Sequence, residues 1–351
     1  MKPLKILIIR NDKLGDFALA LPTFQALKRS APHVEIVALV PNYTAPIAEL
    51  CPDIDRTLID PGPKASLKEQ FQLYKQLKTN AFDAVLCLFS TGRIATLLAL
   101  AGVPNRIAPA TKWAQLLFHH RIKQKRSQSI LPEYQYNLNL IQPLFKTLNI
   151  ALPIHKPTAP YLPIDPDQAA RLKTGFCKQH VIPEHHHLIF IHPGSGGSAS
   201  NLALHQYAEL ASLLGRHKQQ GLRNNSIVIT AGPGEEATAA TLRHQLDNEI
   251  SACVLHSTEG LQQFVGYLQI CDLFISGSTG TLHLAAALNK ANVGFYPNLT
   301  TASALRWQTV SDANKRLSFS PAVPGNDPNA MATLEMPKIA KTIIDAFLTA
   351  D

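Results

Sequence analysis

Short apolar runs recur along the chain, and stretches of helical period separate most of them. The runs are rich in branched residues and lack the polar alternation of a half-exposed strand, so they are typical of strands buried on both faces. We predict strands at residues 5–10, 34–40, 56–59, 84–88, 105–107, 188–192, 226–231, 252–255, 273–275 and 293–295. We predict helices at residues 17–30, 67–80, 94–101, 137–148, 167–179, 206–217, 261–270, 282–288 and 337–349. This alternation predicts parallel sheets with helices wound on both faces.

The pattern divides once, at a proline-rich stretch of little periodicity over residues 151–166. With 351 residues, the chain is long enough for two domains of ordinary size. We therefore predict two doubly wound α/β domains, residues 1–155 and 156–351. The last helix is a candidate to pack back on the first domain.

Loops of small residues follow three predicted strands of the second half, at residues 195–200, 232–236 and 276–281. Ser278, Thr279 and Thr281 offer hydroxyl groups where a helix begins, and the unpaired N–H groups of a helix N-terminus suit phosphate. A carboxylate such as Glu235 suits a ribose hydroxyl. Because ligands of open α/β sheets bind at the carboxyl ends of the strands, we predict a nucleotide site here. The alternative is a well-capped helix after a core strand.

Two nucleotide-binding classes lack their motifs. A G-x-x-x-x-G-K-[ST] motif does not occur, and G-x-G-x-x-G does not follow the first strand. The sequence therefore argues against a P-loop ATPase and disfavours an NAD-linked oxidoreductase.

Charge adds a second indication. Lys and Arg number 33 against 25 Asp and Glu, a formal charge of +8, which favours an anionic partner. One basic stretch, residues 119–126, follows the apolar residues Trp113, Leu116, Leu117 and Phe118. It is either a solvated loop or a surface that faces an anionic amphiphile or a membrane.

The five cysteines are scattered without a C-x-x-C pair, and we interpret them as reduced core residues of a cytoplasmic protein. We see neither a signal peptide nor a membrane-spanning segment. Residues 185–187 are three adjacent histidines, but no cluster of cysteines or carboxylates accompanies them to complete a metal site. Elsewhere in the sequence, no pair of carboxylates has the spacing of metal ligands. We expect neither a metal nor another cofactor.

Four motifs together give the sequence a family resemblance. They are I-I-R-N-D-K-L-G-D-F-A-L-A-L-P at 8–22, H-P-G-S-G-G at 192–197, G-P-G-E at 232–235 and S-T-G-T-L-H-L-A-A-A-L at 278–288. In this order the chain resembles glycosyltransferase family 9, the bacterial lipopolysaccharide heptosyltransferases. The resemblance implies a GT-B fold, two Rossmann-like domains facing across a cleft. It also implies inverting transfer of a heptose or related sugar from an ADP-sugar to a lipopolysaccharide core acceptor, without nucleic acid. An enzyme with such an acceptor would contact the inner membrane peripherally.

The resemblance also implies roles for individual residues. Asp16 matches the catalytic base, and Glu235 matches the carboxylate that reaches the ribose. The remaining donor-binding residues are predicted on the three loops: Ser195, Gly196, Ser200, Ser278, Thr279, Gly280, Thr281 and His283. For an anionic glycolipid acceptor we predict contacts from Arg10, Lys13, Arg121 and Lys123.

Two positions depart from the family pattern. Ser278 stands where many members have an acidic residue, and Ser200 stands near the place where many have a lysine or arginine before Trp-Pro. The departures leave the donor sugar and base open. They motivate a second hypothesis, a catalytically weak nucleotide-sugar-binding protein at the membrane surface.

Simpler interpretations exist for several of these residues. Asp16 could be the N-cap of the helix that follows it. Asp12 and Lys13 could be solvated, and His283 could be a buried, satisfied core histidine.

Overall fold

The computed structural model describes residues 4–110, 113–151, 153–194, 201–218, 224–323, 325, 327 and 329–349. The chain forms two compact units, Met1–Pro163 and Ile164–Asp351. None of the described helices is both long and apolar enough to cross a bilayer.

The first unit is built on a six-stranded sheet whose strands are all parallel, in the order β3-β2-β1-β4-β5-β6. The strands are β1 Lys5–Ile9, β2 Glu35–Pro41, β3 Arg56–Asp60, β4 Ala84–Cys87, β5 Asn105–Pro109 and β6 His120–Ile122. The helices are α1 Leu14–Ala18, α2 Leu21–Ser30, α3 Ala45–Leu50, α4 Leu67–Asn80, α5 Gly92–Leu100, α6 Glu133–Leu138 and α7 Ile141–Thr147. The apolar runs become fully buried central strands, because helices cover both faces of a parallel sheet.

Prolines divide two stretches that we predicted as single helices. Residues 17–30 form parts of α1 and α2, and residues 137–148 form parts of α6 and α7. A proline ring clashes with the carbonyl four residues before it, which is that of Ala18 for Pro22 and of Asn139 for Pro143. Each earlier helix ends at or just before that residue.

The second unit repeats the architecture with a six-stranded parallel sheet in the order β12-β11-β10-β7-β8-β9. Its strands are β7 His187–His192, β8 Asn225–Ala231, β9 Ala252–His256, β10 Leu273–Gly277, β11 Ala291–Phe295 and β12 Arg316–Phe319. Its helices are α8 Pro166–His180, α9 Leu204–Arg216, α10 Glu236–Gln245, α11 Leu261–Ile270, α12 Gly280–Ala287 and α13 Met336–Phe347. The predicted class, two doubly wound α/β sheets, is confirmed.

The last helix, α13, packs against α9 within the second unit. Ile339 and Ile343 are buried in the apolar core of that unit, together with residues of the sheet. The amphipathic pattern of α13 is therefore accounted for by its own unit.

Both sheets have the same doubly wound order of strands. If β7 is counted as the first strand of the second unit, the order of that unit is the order of the first unit written backwards. The order reverses between β1 and β4 in the first unit and between β7 and β10 in the second. Ligands of such sheets bind outside the carboxyl ends of the strands at this switch point. The loops after these strands are therefore where each unit should hold its functional groups.

Candidate functional site

The loop after β10 holds three linked hydroxyl groups. Ser276 Oγ lies 3.1 Å from Thr279 Oγ1, which lies 2.9 Å from Thr281 Oγ1. Thr279 is the N-cap residue of α12 but makes no side-chain capping bond. In the part of the chain that the structure describes, no side chain caps the N–H groups of Gly280 and Thr281 at the positive end of the helix, an arrangement that suits phosphate. The alternative of a well-capped helix is wrong.

His283 lies in α12 with only 2% of its surface exposed. Burial lowers the pKa of its imidazole to about 4, so the ring is neutral at pH 7. No hydrogen-bond partner reaches its Nδ1 among the residues that the structure describes. His283 is therefore buried, as the simpler interpretation held, but its ring is not satisfied.

Glu235 lies at the end of β8 and faces the end of β7. Its Oε2 accepts a hydrogen bond from the Gly232 N–H at 3.0 Å and lies 3.5 Å from His192 Nε2. Burial lowers the pKa of His192, while the nearby carboxylate opposes that shift. A Cβ atom on Gly194 would overlap the carboxyl group of Glu235, so any larger residue there would push that carboxyl group out of its present position.

Tyr207 and Asn201 join the ends of β7 and β10, and the sequence did not indicate them. The buried Tyr207 hydroxyl accepts from the Gly277 N–H at 3.0 Å and donates to Asn201 Oδ1 at 2.5 Å. Asn201 Nδ2 in turn donates to the Pro193 carbonyl at 2.8 Å. A tyrosine in an amphipathic helix normally signals a core position, so no sequence feature pointed to this bridge.

These contacts join the residues on both sides of the predicted loop 195–200, which itself lies outside the described residues, to the ends of β8 and β10. Gly194, after β7, meets Glu235, after β8, and Asn201 meets Gly277 at the end of β10. Ser278, half-buried, donates its N–H to the Phe295 carbonyl. Three predicted donor residues, Ser195, Gly196 and Ser200, lie outside the described residues.

The first unit places a buried arginine at its own switch point. Arg10, 3% exposed, donates from Nε to Asp12 at 2.8 Å, from one terminal nitrogen to Glu133 at 2.9 Å, and from the other to Asp16. Burial alone would lower the pKa of Arg10, but the three carboxylates together raise it above its usual value. We expected Arg10 to meet the acceptor, whereas its donors are engaged by these carboxylates.

Asp16 lies inside α1, whose N-cap residue is Lys13, so the N-cap interpretation of Asp16 is wrong. Among the described residues only Arg10 donates a hydrogen bond to Asp16, and it does so at Oδ1. No residue within the described ranges donates to its second oxygen, Oδ2. Lys13, next to this site, is exposed.

Asp12 shares the guanidinium with Asp16 and is not the solvated side chain that we expected. Burial raises the pKa of Asp12 to about 6, with Arg10 opposing the rise and Asp16 adding to it. A carboxylate with a pKa raised in this way is itself a candidate base.

The basic stretch divides into exposed and paired cations. Arg121, Lys123 and Lys125 are exposed, whereas Arg126 donates to Glu133 Oε1 at 2.8 Å, the same oxygen that Arg10 contacts. The stretch also contains the strand β6, so it is not simply a loop. The sequence missed the role of Glu133, a buried carboxylate that anchors two arginines.

Comparison with known proteins identifies the family. Residues 70–320 match the family model described as glycosyltransferase family 9 (heptosyltransferase). The chain is 40% identical over 319 residues, 90% of its length and 89% of the relative, to a provisionally assigned glycosyltransferase of Haemophilus influenzae. It is 25% identical to lipooligosaccharide heptosyltransferase 2 of Haemophilus ducreyi, with 82% of this chain and 81% of the relative covered.

Its fold is similar to that of the Escherichia coli ADP-heptose lipopolysaccharide heptosyltransferase II. The TM-score is 0.77 at 18% identity, with 98% of each chain covered, which confirms the expected GT-B fold class. The chain therefore belongs to glycosyltransferase family 9, and it is a glycosyltransferase.

Proposed function

We propose that the enzyme transfers a heptose, or a related sugar, from an ADP-sugar to a lipopolysaccharide core acceptor with inversion at the anomeric carbon. The observation that carries this proposal is the N-terminus of α12, after β10, together with the Glu235 carboxylate, after β8, on the two sides of β7. A nucleoside diphosphate has the matching chemistry, a diphosphate for the amides and ribose hydroxyls for the carboxylate. The names of the relatives supply the sugar and the acceptor.

The leaving group is stabilised by donors that are already in place. As the bond between the anomeric carbon and the diphosphate breaks, negative charge grows on the phosphate oxygens. In this proposal the N–H groups of Gly280 and Thr281, with the hydroxyls of Thr279 and Thr281, bind the oxygens on which that charge develops. Fixed donors of this kind lower the barrier because they need no reorganisation during the reaction.

Asp16 is the proposed base. A hydroxyl of the acceptor attacks the anomeric carbon and passes its proton to Oδ2 of Asp16, while ADP leaves with the bonding electrons. Arg10 holds Oδ1 and so fixes the direction of the carboxylate, and Glu133 holds Arg10 from its other end. Arg10 is thus proposed as a positioning residue. A single displacement by the acceptor inverts the configuration.

For the acceptor we retain an anionic glycolipid, and we propose that it is contacted by Lys13, Arg121 and Lys123, three exposed cations of the first unit. Exposed charges attract an anionic head group in a salt-dependent way. We propose a cytoplasmic site of action, where the nucleotide sugar would be available.

A thermal shift panel of ADP, UDP, GDP, CMP and NAD tests the donor assignment. We expect ADP to protect, because a ligand at a hundred times its dissociation constant adds about 2.7 kcal/mol to the native state. For a domain of this size that is a shift of roughly 5–10 °C. Protection by UDP or NAD but not ADP would remove the ADP-heptose assignment. Protection by ADP without sugar transfer would favour the second hypothesis, a catalytically weak nucleotide-sugar-binding protein. The departures from the family pattern at Ser200 and Ser278 motivate that hypothesis.

A further inference from the structure

A short turn, Trp113–Leu117, presents two large apolar side chains to solvent beside the edge of the first sheet. The exposed fractions are 72% for Trp113 and 71% for Leu116. Single exposed apolar residues are common, but two in one turn beside a cluster of charge call for a physical explanation.

The turn is anchored to the unit, so its exposed side chains are not those of a loose segment. Leu117 packs against the apolar core and Phe118 belongs to it. Arg106 donates from Nε to the Leu117 carbonyl at 2.8 Å, and its own carbonyl accepts from the His119 N–H at 3.0 Å. The turn therefore holds Leu116 outward while its neighbour points inward.

Trp113 is held in the same way. A Cβ atom on Gly92 in α5 would overlap the Trp113 ring, so the indole lies against the glycine backbone. One side of the ring is supported by α5, and most of the rest faces solvent. Supported aromatic rings of this type are favoured at the boundary between water and lipid.

The charged residues that follow the turn along the chain, up to residue 126, are all positive. The turn leads into β6, the edge strand of the sheet, where His120 and Ile122 are half-buried and Arg121 is exposed. Lys123 and Lys125 follow and are also exposed. Arg126 is excluded from this surface because it is paired with Glu133.

We propose that this surface, formed by Trp113, Leu116, Arg121, Lys123 and Lys125, docks the enzyme on a bilayer that contains anionic phospholipid. Anchored apolar side chains can enter the interfacial region, while adjacent cations attract the negative head groups. The proposal rests on exposure and charge and does not depend on the proposed function, because the docking needs neither donor nor acceptor.

Co-sedimentation of the full chain with phosphatidylcholine vesicles, with and without phosphatidylglycerol, tests the docking. We expect binding to the anionic vesicles and little to the neutral ones. Removing three cations should weaken binding on the order of a hundredfold, and removing the two apolar side chains should weaken it on the order of tenfold or more. The variants are Arg121→Gln/Lys123→Gln/Lys125→Gln and Trp113→Ser/Leu116→Ser.

A matched control lies in the same unit. Leu67 is 88% exposed and has exposed lysines on either side, Lys64 and Lys68. The triple variant Lys64→Gln/Leu67→Ser/Lys68→Gln removes two exposed cations and one exposed leucine from another part of the unit, and it should bind like the parent. An equal loss of binding in this control would show a general charge effect and overturn the proposal.

Trp113 also provides a direct reporter. The chain has two tryptophans, so Trp307→Phe leaves Trp113 as the only one. Its emission should shift to the blue on anionic vesicles. Binding without that shift, binding that requires the glycolipid acceptor in the vesicles, or equally tight binding to soluble heparin would each overturn the docking.

Discussion

The buried imidazole of His283 should make the second unit sensitive to acid. The pKa of this ring is about 4 in the folded chain against 6.5 for an unperturbed histidine. Between these values the unfolded state binds a proton that the folded state does not, so stability falls as pH falls through this window. From pH 7.5 to 4.5 the linkage amounts to about 2.5 kcal/mol.

His283→Gln removes this titration while keeping a side chain of similar size. The variant can differ from the parent in unfolding free energy at pH 7.5. The unfolding free energy that it loses between pH 7.5 and pH 4.5, its acid loss, should be smaller than that of the parent by about 2.5 kcal/mol. His205 is exposed in α9, and His205→Gln should leave the acid loss unchanged.

Urea unfolding at a series of pH values measures the difference. Trp307 reports on the second unit when Trp113→Phe removes the other tryptophan. A reporter in that unit matters because the raised pKa of Asp12 in the first unit acts in the opposite direction: its contribution falls as pH rises from about 4 to about 6. Equal acid losses for His283→Gln and the parent would refute the reasoning.

The nucleotide loops give two further expectations. Gly194→Ala should lower ADP affinity about tenfold or more in calorimetric titration, because the new methyl group overlaps the Glu235 carboxyl group, and an unchanged affinity would argue against Glu235 at the ribose. Tyr207→Phe should cost about 1–3 kcal/mol of unfolding free energy and weaken ADP binding, because the buried Gly277 N–H loses its acceptor. Tyr267→Phe, in the same unit, is the control, and equal effects of the two variants would contradict the bridging role.

Local pattern was enough to predict most of the fold. The buried strands were visible as apolar runs, and α4 and α11 have the predicted bounds, residues 67–80 and 261–270. The sequence missed four elements, α3, β6, α10 and β12. Only Ala239 and Leu242 of α10 are buried, and β12 is a short, half-exposed edge strand. Neither α10 nor β12 therefore shows a strong periodic pattern of apolar residues.

The site was only partly visible for a different reason. The loops after β7, β8 and β10 were predicted because glycine and hydroxyl residues mark them locally. The contacts that shape the site join distant positions: Arg10 and Glu133 are 123 residues apart, and Tyr207 and Gly277 are 70 apart. Helix and strand periodicities relate residues that are close in the chain, so a single sequence does not show that residues so far apart are in contact.

Asp16 is proposed to take the proton of the acceptor, and its neighbour Asp12 offers the matched control. Both carboxylates contact the Arg10 guanidinium, but the pKa of Asp12 is raised to about 6, which makes it the rival base. Asp16→Asn and Asp12→Asn each remove one charge from the same cluster with little change in size.

The decisive measurement is the rate at which each variant transfers the sugar from ADP-heptose to a core acceptor that lacks it. The release of ADP reports this rate. We predict that Asp16→Asn lowers turnover on the order of a hundredfold or more, the usual contribution of a general base. ADP affinity should stay unchanged, because the nucleotide loops lie in the other unit. Asp12→Asn should retain turnover within about tenfold. Near-normal transfer by a folded Asp16→Asn variant, or a larger loss in Asp12→Asn, would contradict the account.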